Sequence, residues 1–225
     1  MKEIKKKFIK FILKKKILIF GNFILKSKIK SPYFFNISSL STGKDLYTLG
    51  KFYAKTLIKL NIKFDSLFGI AYKGIPILIA TVIALKNKFN INVPYSFNRK
   101  ETKTYGEKGN IVGNLIKGKI IIIDDVFTSG TAIKNAIKII KKYKDIKIKH
   151  ILLSLDRKEF KELNLSKNKR KKNSFQISSI ININDIIHYL KKKNIMKKEL
   201  KILIKHKLKK KEFEKTKKFQ YDQNL

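Results

Sequence analysis

Apolar residues recur with two periods along this chain, and the switching between them predicts strands alternating with helices. Over residues 3–17, Ile4, Phe8, Phe11 and Ile12 fall near helical spacing with lysines between them, which predicts a surface helix. Residues 18–38 read as a short strand-and-loop region. From Asp45 to Leu60, Leu46, Leu49, Phe52, Tyr53, Leu57 and Leu60 share one face of an amphipathic helix. Ser66 to Ile70 is a short apolar run, the size of a buried strand, ending at Ala71-Tyr72-Lys73-Gly74. Pro76 then suits the first turn of a helix.

Pro94 to Phe97 predicts a third strand. Asn98 to Asn114 is charged, contains Gly106, Gly109 and Gly113, and lacks apolar periodicity, so a mobile loop is expected. Lys119 to Ile123 predicts a fourth strand, Thr131 to Lys142 a helix and Ile146 to Leu155 a fifth strand. Residues 158–174 are rich in lysine and asparagine and read as a surface loop. Phe175 to Ile181 fits one more strand, and Asn184 could cap a helix from Asp185 to Lys192. Such alternation predicts an α/β fold, a mostly parallel sheet flanked by helices. One domain over residues 1–195 is expected, with residues 196–225 as a basic helical, frayed tail.

Composition narrows the options. The 225 residues include no cysteine, which excludes disulfides and thiolate metal sites and fits a reducing compartment. The net charge is +38, which points first to nucleic acid. However, only Arg99, Arg157 and Arg170 are arginine; the other 51 basic residues are lysine and run from end to end. Base-edge readout favours the arginine fork, so no specific nucleic-acid partner is expected. Lysine, isoleucine, asparagine and phenylalanine all have A/T-rich codons, and the lysine surface reads as compositional drift. Ile75 to Leu85, the longest nearly apolar stretch, is too short to span a bilayer. No targeting segment stands out, so a cytoplasmic protein without a membrane partner is expected.

The chemistry concentrates in residues 120–132, Ile-Ile-Ile-Ile-Asp-Asp-Val-Phe-Thr-Ser-Gly-Thr-Ala. A strand runs into two carboxylates, and a small-residue turn opens a helix. Asp124 and Asp125 can accept from the vicinal hydroxyls of a ribose. Thr128, Ser129, Gly130 and Thr131 can cradle a phosphate with backbone N–H groups at the helix N-terminus. Gly130 allows the close approach or the positive φ that such a cradle often needs. An ordinary strand-turn-helix with acids at a solvent edge is the plainer reading, and the Thr-x-Gly-Thr sequence after paired acids weighs against it.

This segment resembles the phosphoribosyl-pyrophosphate (PRPP) motif of the type I phosphoribosyltransferases. Over about residues 8–192 the chain resembles the branch of that family that uses orotate. Lys26-Ser27, Ser31-Pro32-Tyr33-Phe34-Phe35-Asn36, Ala71-Tyr72-Lys73-Gly74-Ile75-Pro76, Phe97-Asn98-Arg99-Lys100-Glu101 through Lys103 to Gly106-Glu107 and Gly109-Asn110, and Ser154-Leu155-Asp156-Arg157 carry it in order. The resemblance implies the type I phosphoribosyltransferase fold, with residues 1–40 giving a helix and a small hood and 98–114 a mobile active-site loop. It implies transfer of ribose 5-phosphate from PRPP to N1 of orotate, releasing pyrophosphate, with Mg²⁺ held mainly through PRPP and no direct protein ligand. A homodimer follows by the same resemblance, the 98–114 loop reaching the neighbouring active site.

The resemblance also assigns residues. Arg99, Lys100 and Lys103 would act in catalysis and, with Lys26, Tyr72, Lys73, Tyr105, Asp124, Asp125, Val126, Phe127, Thr128, Ser129, Gly130, Thr131 and Ala132, bind PRPP. Phe34, Phe35, Thr128 and Arg157 would line the orotate site. Aromatic faces suit a flat ring and a guanidinium suits a carboxylate. Each assignment has a plainer counterpart: Phe34 and Phe35 as core, Lys73 as one surface lysine of many, the loop as solvated charge, Arg157 in an ion pair with Asp156 or Glu159. Tyr105 stands where the family usually has histidine, and a phenol does not titrate near neutrality. His150, His188 and His206 lie outside every motif and read as packing or surface residues. Three alternatives remain at this level: a phosphoribosyltransferase for another base, a PRPP-sensing nucleic-acid-binding regulator without catalysis, and a weakly active relic.

Overall fold

The computed structural model describes residues 1–25, 29–103, 109–114, 117–127, 130–158 and 175–208. Helix α1 (Lys2–Lys14) leads into an antiparallel hairpin, β1 (Leu18–Ile24) and β2 (Lys30–Phe35). Helix α2 (Gly43–Leu60) follows, capped by Thr42, whose hydroxyl accepts from the Asp45 N–H. Next come β3 (Ser66–Gly69), α3 (Gly74–Phe89), β4 (Tyr95–Lys103), β5 (Gly109–Gly113), β6 (Gly118–Phe127), α4 (Thr131–Ile140), β7 (Ile146–Asp156), β8 (Gln176–Asn182) and α5 (Ile183–Lys193). A last helix, α6, covers residues 197–208. Among the described residues, no helix is long and apolar enough to cross a membrane.

Strand order in the main sheet is β5-β4-β3-β6-β7-β8. Only the β4–β5 pair is antiparallel. The alternating apolar residues of β6 divide the interior. Ile121 and Ile123 pack in a large core with α1, α2, α3, α5 and the hairpin. Ile120 and Ile122 pack on the other face with Ile133, Ala136, Ile137 and Ile140 of α4. The chain leaves β3 toward β4 on one side and continues from β6 toward β7 on the other. The two strands pair directly, so the crevice beyond their C-terminal ends is the topological switch point of the sheet.

Several expectations need correction. Residues 98–103 and 109–113 are strand, the two arms of a hairpin with Asn98 opposite Ile111 and Lys103 opposite Gly109, rather than loop. Strand β6 carries both aspartates and continues to Phe127. The cap of α5 is Asn182, not Asn184: its side chain accepts from the Asn184 and Asp185 N–H groups, and Asp185 accepts from the Asn182 N–H. Leu203 of α6 is buried in the larger core, so core packing runs past residue 195.

Two glycines set how closely elements approach the crevice. A Cβ on Gly50 of α2 would lie 2.1 Å from the Ala80 carbonyl oxygen of α3. A Cβ on Gly74, the first residue of α3, would lie 2.8 Å from the Ile123 carbonyl oxygen, so only glycine lets the helix start against β6.

Candidate active site

Asp124 and Asp125 lie near the end of β6, each only 8% exposed. Successive strand residues point to opposite faces, yet both side chains bend forward along the chain. Asp124 Oδ1 accepts from the Asp125 N–H at 2.9 Å, and Asp125 Oδ1 accepts from the Val126 N–H at 2.8 Å. These bonds tie each carboxylate to the backbone N–H that follows it. Burial pushes the Asp124 carboxyl well above the ordinary carboxylate range, and the Asp125 charge adds to the effect. Burial also raises Asp125, opposed by the Lys73 ammonium, whose Nζ lies 3.3 Å from Asp125 Oδ2. The pair therefore gains from any hydroxyl donor or cation that enters the crevice.

The loop after β3 supplies the facing wall. Its Ala71–Tyr72 peptide is cis, and the Ala71 N–H donates to Asn98 Oδ1 of β4 at 3.1 Å. Lys100 Nζ stands 4.2 Å from the centroid of the exposed Tyr72 ring. Lys73 Nζ lies 5.6 Å from the Phe34 ring centroid of β2, and Phe34 packs on Phe23 at 5.6 Å. Lys73 thus stands between the carboxylate pair and the aromatic hairpin.

Arg157 follows β7 and is buried. One terminal nitrogen donates to Ser31 Oγ at 2.6 Å, and its Cζ lies 4.0 Å from the Tyr33 ring centroid. Asp156, its sequence neighbour, holds Lys158 at 2.8 Å.

Helix α4 begins after Gly130, which takes φ +75°, the left-handed conformation expected there. Thr131 and Ala132 are exposed in the first turn. The structure separates other grouped residues. Phe35 points into the core at 3% exposure, whereas Phe34 is half-buried on the other side of β2, because the pleat separates neighbours. Phe127 and Val126 pack toward opposite cores, so their reach toward the crevice is through backbone. Arg99 is half-buried in β4 and Lys103 ends that strand. The expectations for Lys26, Tyr105, Thr128 and Ser129 lie outside the described residues.

Four supporting residues escaped the sequence reading. Tyr53 of α2 donates to the Asp124 carbonyl at 2.7 Å and lies 2.7 Å from Ser154 Oγ of β7. Ser31 and Asn98 are the others. Ser31, Asn98 and Ser154 fall inside the stretches singled out in the sequence, but polarity alone does not say which backbone group a side chain will hold.

The family model "Phosphoribosyl transferase domain" matches residues 36–190. An orotate phosphoribosyltransferase of Buchnera aphidicola subsp. Baizongia pistaciae is 51% identical over 199 residues, 88% of this chain and 97% of the relative. One from Shigella flexneri is 45% identical over 202 residues, 89% and 94% respectively. The crystal structure of an orotate phosphoribosyltransferase from Francisella tularensis superposes with a TM-score of 0.74 at 36% identity, covering 90% of this chain and 98% of that one.

Proposed function

The chain belongs to the orotate phosphoribosyltransferases, and we propose that its crevice seats PRPP against β6 and α4 and orotate against the β1–β2 hairpin. It is a transferase that moves ribose 5-phosphate from PRPP to N1 of orotate, giving orotidine 5′-monophosphate and pyrophosphate in pyrimidine biosynthesis. The observation that carries the seating is the position of Lys73, 3.3 Å from Asp125 on one side and 5.6 Å from the Phe34 ring on the other.

Cleavage of the C1–pyrophosphate bond leaves positive charge on the ribose and more negative charge on the leaving group. Binding both reactants in line and neutralising pyrophosphate then supply most of the catalysis. Asp124 and Asp125 accept the ribose hydroxyls, and their contact with substrate donors returns them to the charged form that burial disfavours. Residues 128–131, ahead of α4, hold the 5-phosphate. Tyr72, Lys73, Arg99, Lys100 and Lys103 surround the pyrophosphate. The cation–π contact of Lys100 with Tyr72 supports this grouping, since it draws β4 to the loop after β3. Phe34 stacks on the orotate ring and Arg157 takes its carboxylate.

Mg²⁺ would be held mainly through the PRPP phosphates and water, as this small hard cation commonly is, with no direct protein ligand. The buried carboxylates Asp124 and Asp125, taken up with the ribose hydroxyls, leave negative charge nearby that suits a cation. Held so, Mg²⁺ would supply charge neutralisation to the leaving pyrophosphate. We also propose a homodimer in which residues 98–114 serve the neighbouring crevice, and a cytoplasmic setting where PRPP is available.

Purified protein incubated with orotate, PRPP and Mg²⁺ is expected to consume orotate, read by its ultraviolet absorbance, with stoichiometric pyrophosphate release. Turnover of uracil or a purine in place of orotate would overturn the acceptor assignment.

A further inference from the structure

We infer that helix α6 is part of the orotate site, acting through Tyr33, and that Tyr33 and His206 are positioning residues for Arg157. The inference rests on the proposed role of Arg157 as the carboxylate ligand. Arg157 is buried, so its orientation is fixed by what surrounds it. Ser31 and Tyr33, both on β2, supply part of that surrounding. Ser31 Oγ takes the guanidinium at 2.6 Å and also bonds the Tyr33 carbonyl at 2.7 Å. The Tyr33 ring, fully buried, lies beneath the guanidinium, whose Cζ is 4.0 Å from the ring centroid. A cation above a ring face is held in one plane, which sets where its remaining N–H fork points.

The Tyr33 ring is itself held by α6. His206 meets it edge-on, with centroids 6.4 Å apart and planes at 88°. A groove of about 750 Å³ runs between the hairpin and α6, lined by Phe23 and Pro32 on one side and Ile202, Lys205 and His206 on the other. His206 therefore contributes one of the contacts that bridge this gap. Leu203, one turn earlier, anchors α6 in the core and fixes the height at which His206 reaches the ring. The order of contact is α6, Tyr33, Arg157, acceptor carboxylate. The helix expected as part of a tail outside the domain would thereby set acceptor affinity.

The test is steady-state kinetics on the full chain, varying orotate and PRPP separately. His206→Ala should raise KM for orotate about threefold and leave KM for PRPP within about 1.5-fold. His206→Phe, which keeps a ring edge, should restore orotate KM. Tyr33→Leu should raise orotate KM about tenfold by removing the ring beneath the guanidinium. Arg157→Lys is the control for the underlying assignment. If it raises orotate KM while the His206 variants leave it unchanged, α6 has no part in the site and the inference fails alone. If Arg157→Lys itself leaves orotate KM unchanged, the carboxylate assignment fails and the inference with it. Equal rises in both KM values for His206→Ala would mean a general loosening and would also overturn it. Should Tyr33→Leu not fold, the His206 pair decides the matter.

Discussion

Tyr53→Phe removes a single oxygen atom from the interior and should cost far more than its size implies. Tyr53 and Ser154 are both fully enclosed. The phenol has one proton, and burial pushes its pKa well above the ordinary range, so it stays protonated. That proton goes to the Asp124 carbonyl at 2.7 Å, so the Ser154 hydroxyl is the donor in the second 2.7 Å contact. Phenylalanine fills the same space but orphans one acceptor and one donor. Each costs about 1–3 kcal/mol when buried, giving a total of about 3 kcal/mol. For a chain of this size that is a fall in Tm of roughly 9 °C. Urea unfolding should show a lower midpoint at an unchanged slope. Adding Ser154→Ala to Tyr53→Phe removes the orphaned donor and should recover about 1 kcal/mol. Because the carbonyl belongs to Asp124, KM for PRPP should also rise, about threefold, with orotate KM steady. A wild-type midpoint for Tyr53→Phe, or strict additivity of the two substitutions, would refute the reasoning.

Three further outcomes are open to measurement. His150 is buried in β7 and its pKa falls from 6.5 to about 4, through loss of solvent around the charged ring. Its contribution is fully present above pH 6.5 and is lost as pH falls toward 4; between pH 7 and pH 5 the wild type should lose about 2 kcal/mol more than His150→Leu, read by urea titration at each pH. Gly50→Ala places a methyl 2.1 Å from the Ala80 carbonyl oxygen, so α2 and α3 must separate, and the expected loss is about 3 kcal/mol by the same assay. Tyr105→His introduces a group that titrates near neutrality, and kcat should gain an inflection near pH 6.5 that the wild type lacks; an unchanged pH profile would show that the position takes no part in proton transfer.

Much of this architecture is legible in the chain. The Ile120–Ile123 strand and the helix that opens after Gly130 are legible because a buried parallel strand and a glycine ahead of a helix each leave a local signature. The continuation of β4 past Phe97 and the return along β5 leave none. The inward positions of β4 carry Ser96 and Asn98, and Asn98 spends its side chain on the Ala71 N–H, so the alternation looks polar on both faces. Phe34 and Phe35 were grouped because adjacency in sequence hides the pleat. The Asn182 cap was readable from its spacing to Asp185, but Asn184 lies nearer the expected start of the helix. Leu203 and His206 could not be read, because a lysine-rich helix shows nothing of the surface it will meet.

Lys73 touches both halves of the crevice, and this makes the two substrates thermodynamic partners on the seating proposed above. A ligand that draws the ammonium away from Asp125 changes what the Phe34 face presents to the other. Linkage is symmetrical: whatever factor PRPP imposes on the dissociation constant of orotate, orotate imposes on that of PRPP. On that seating, one side chain would make the two binding events a cooperative pair, and a binary affinity measured for either substrate alone would differ from its value in the ternary complex by that common factor.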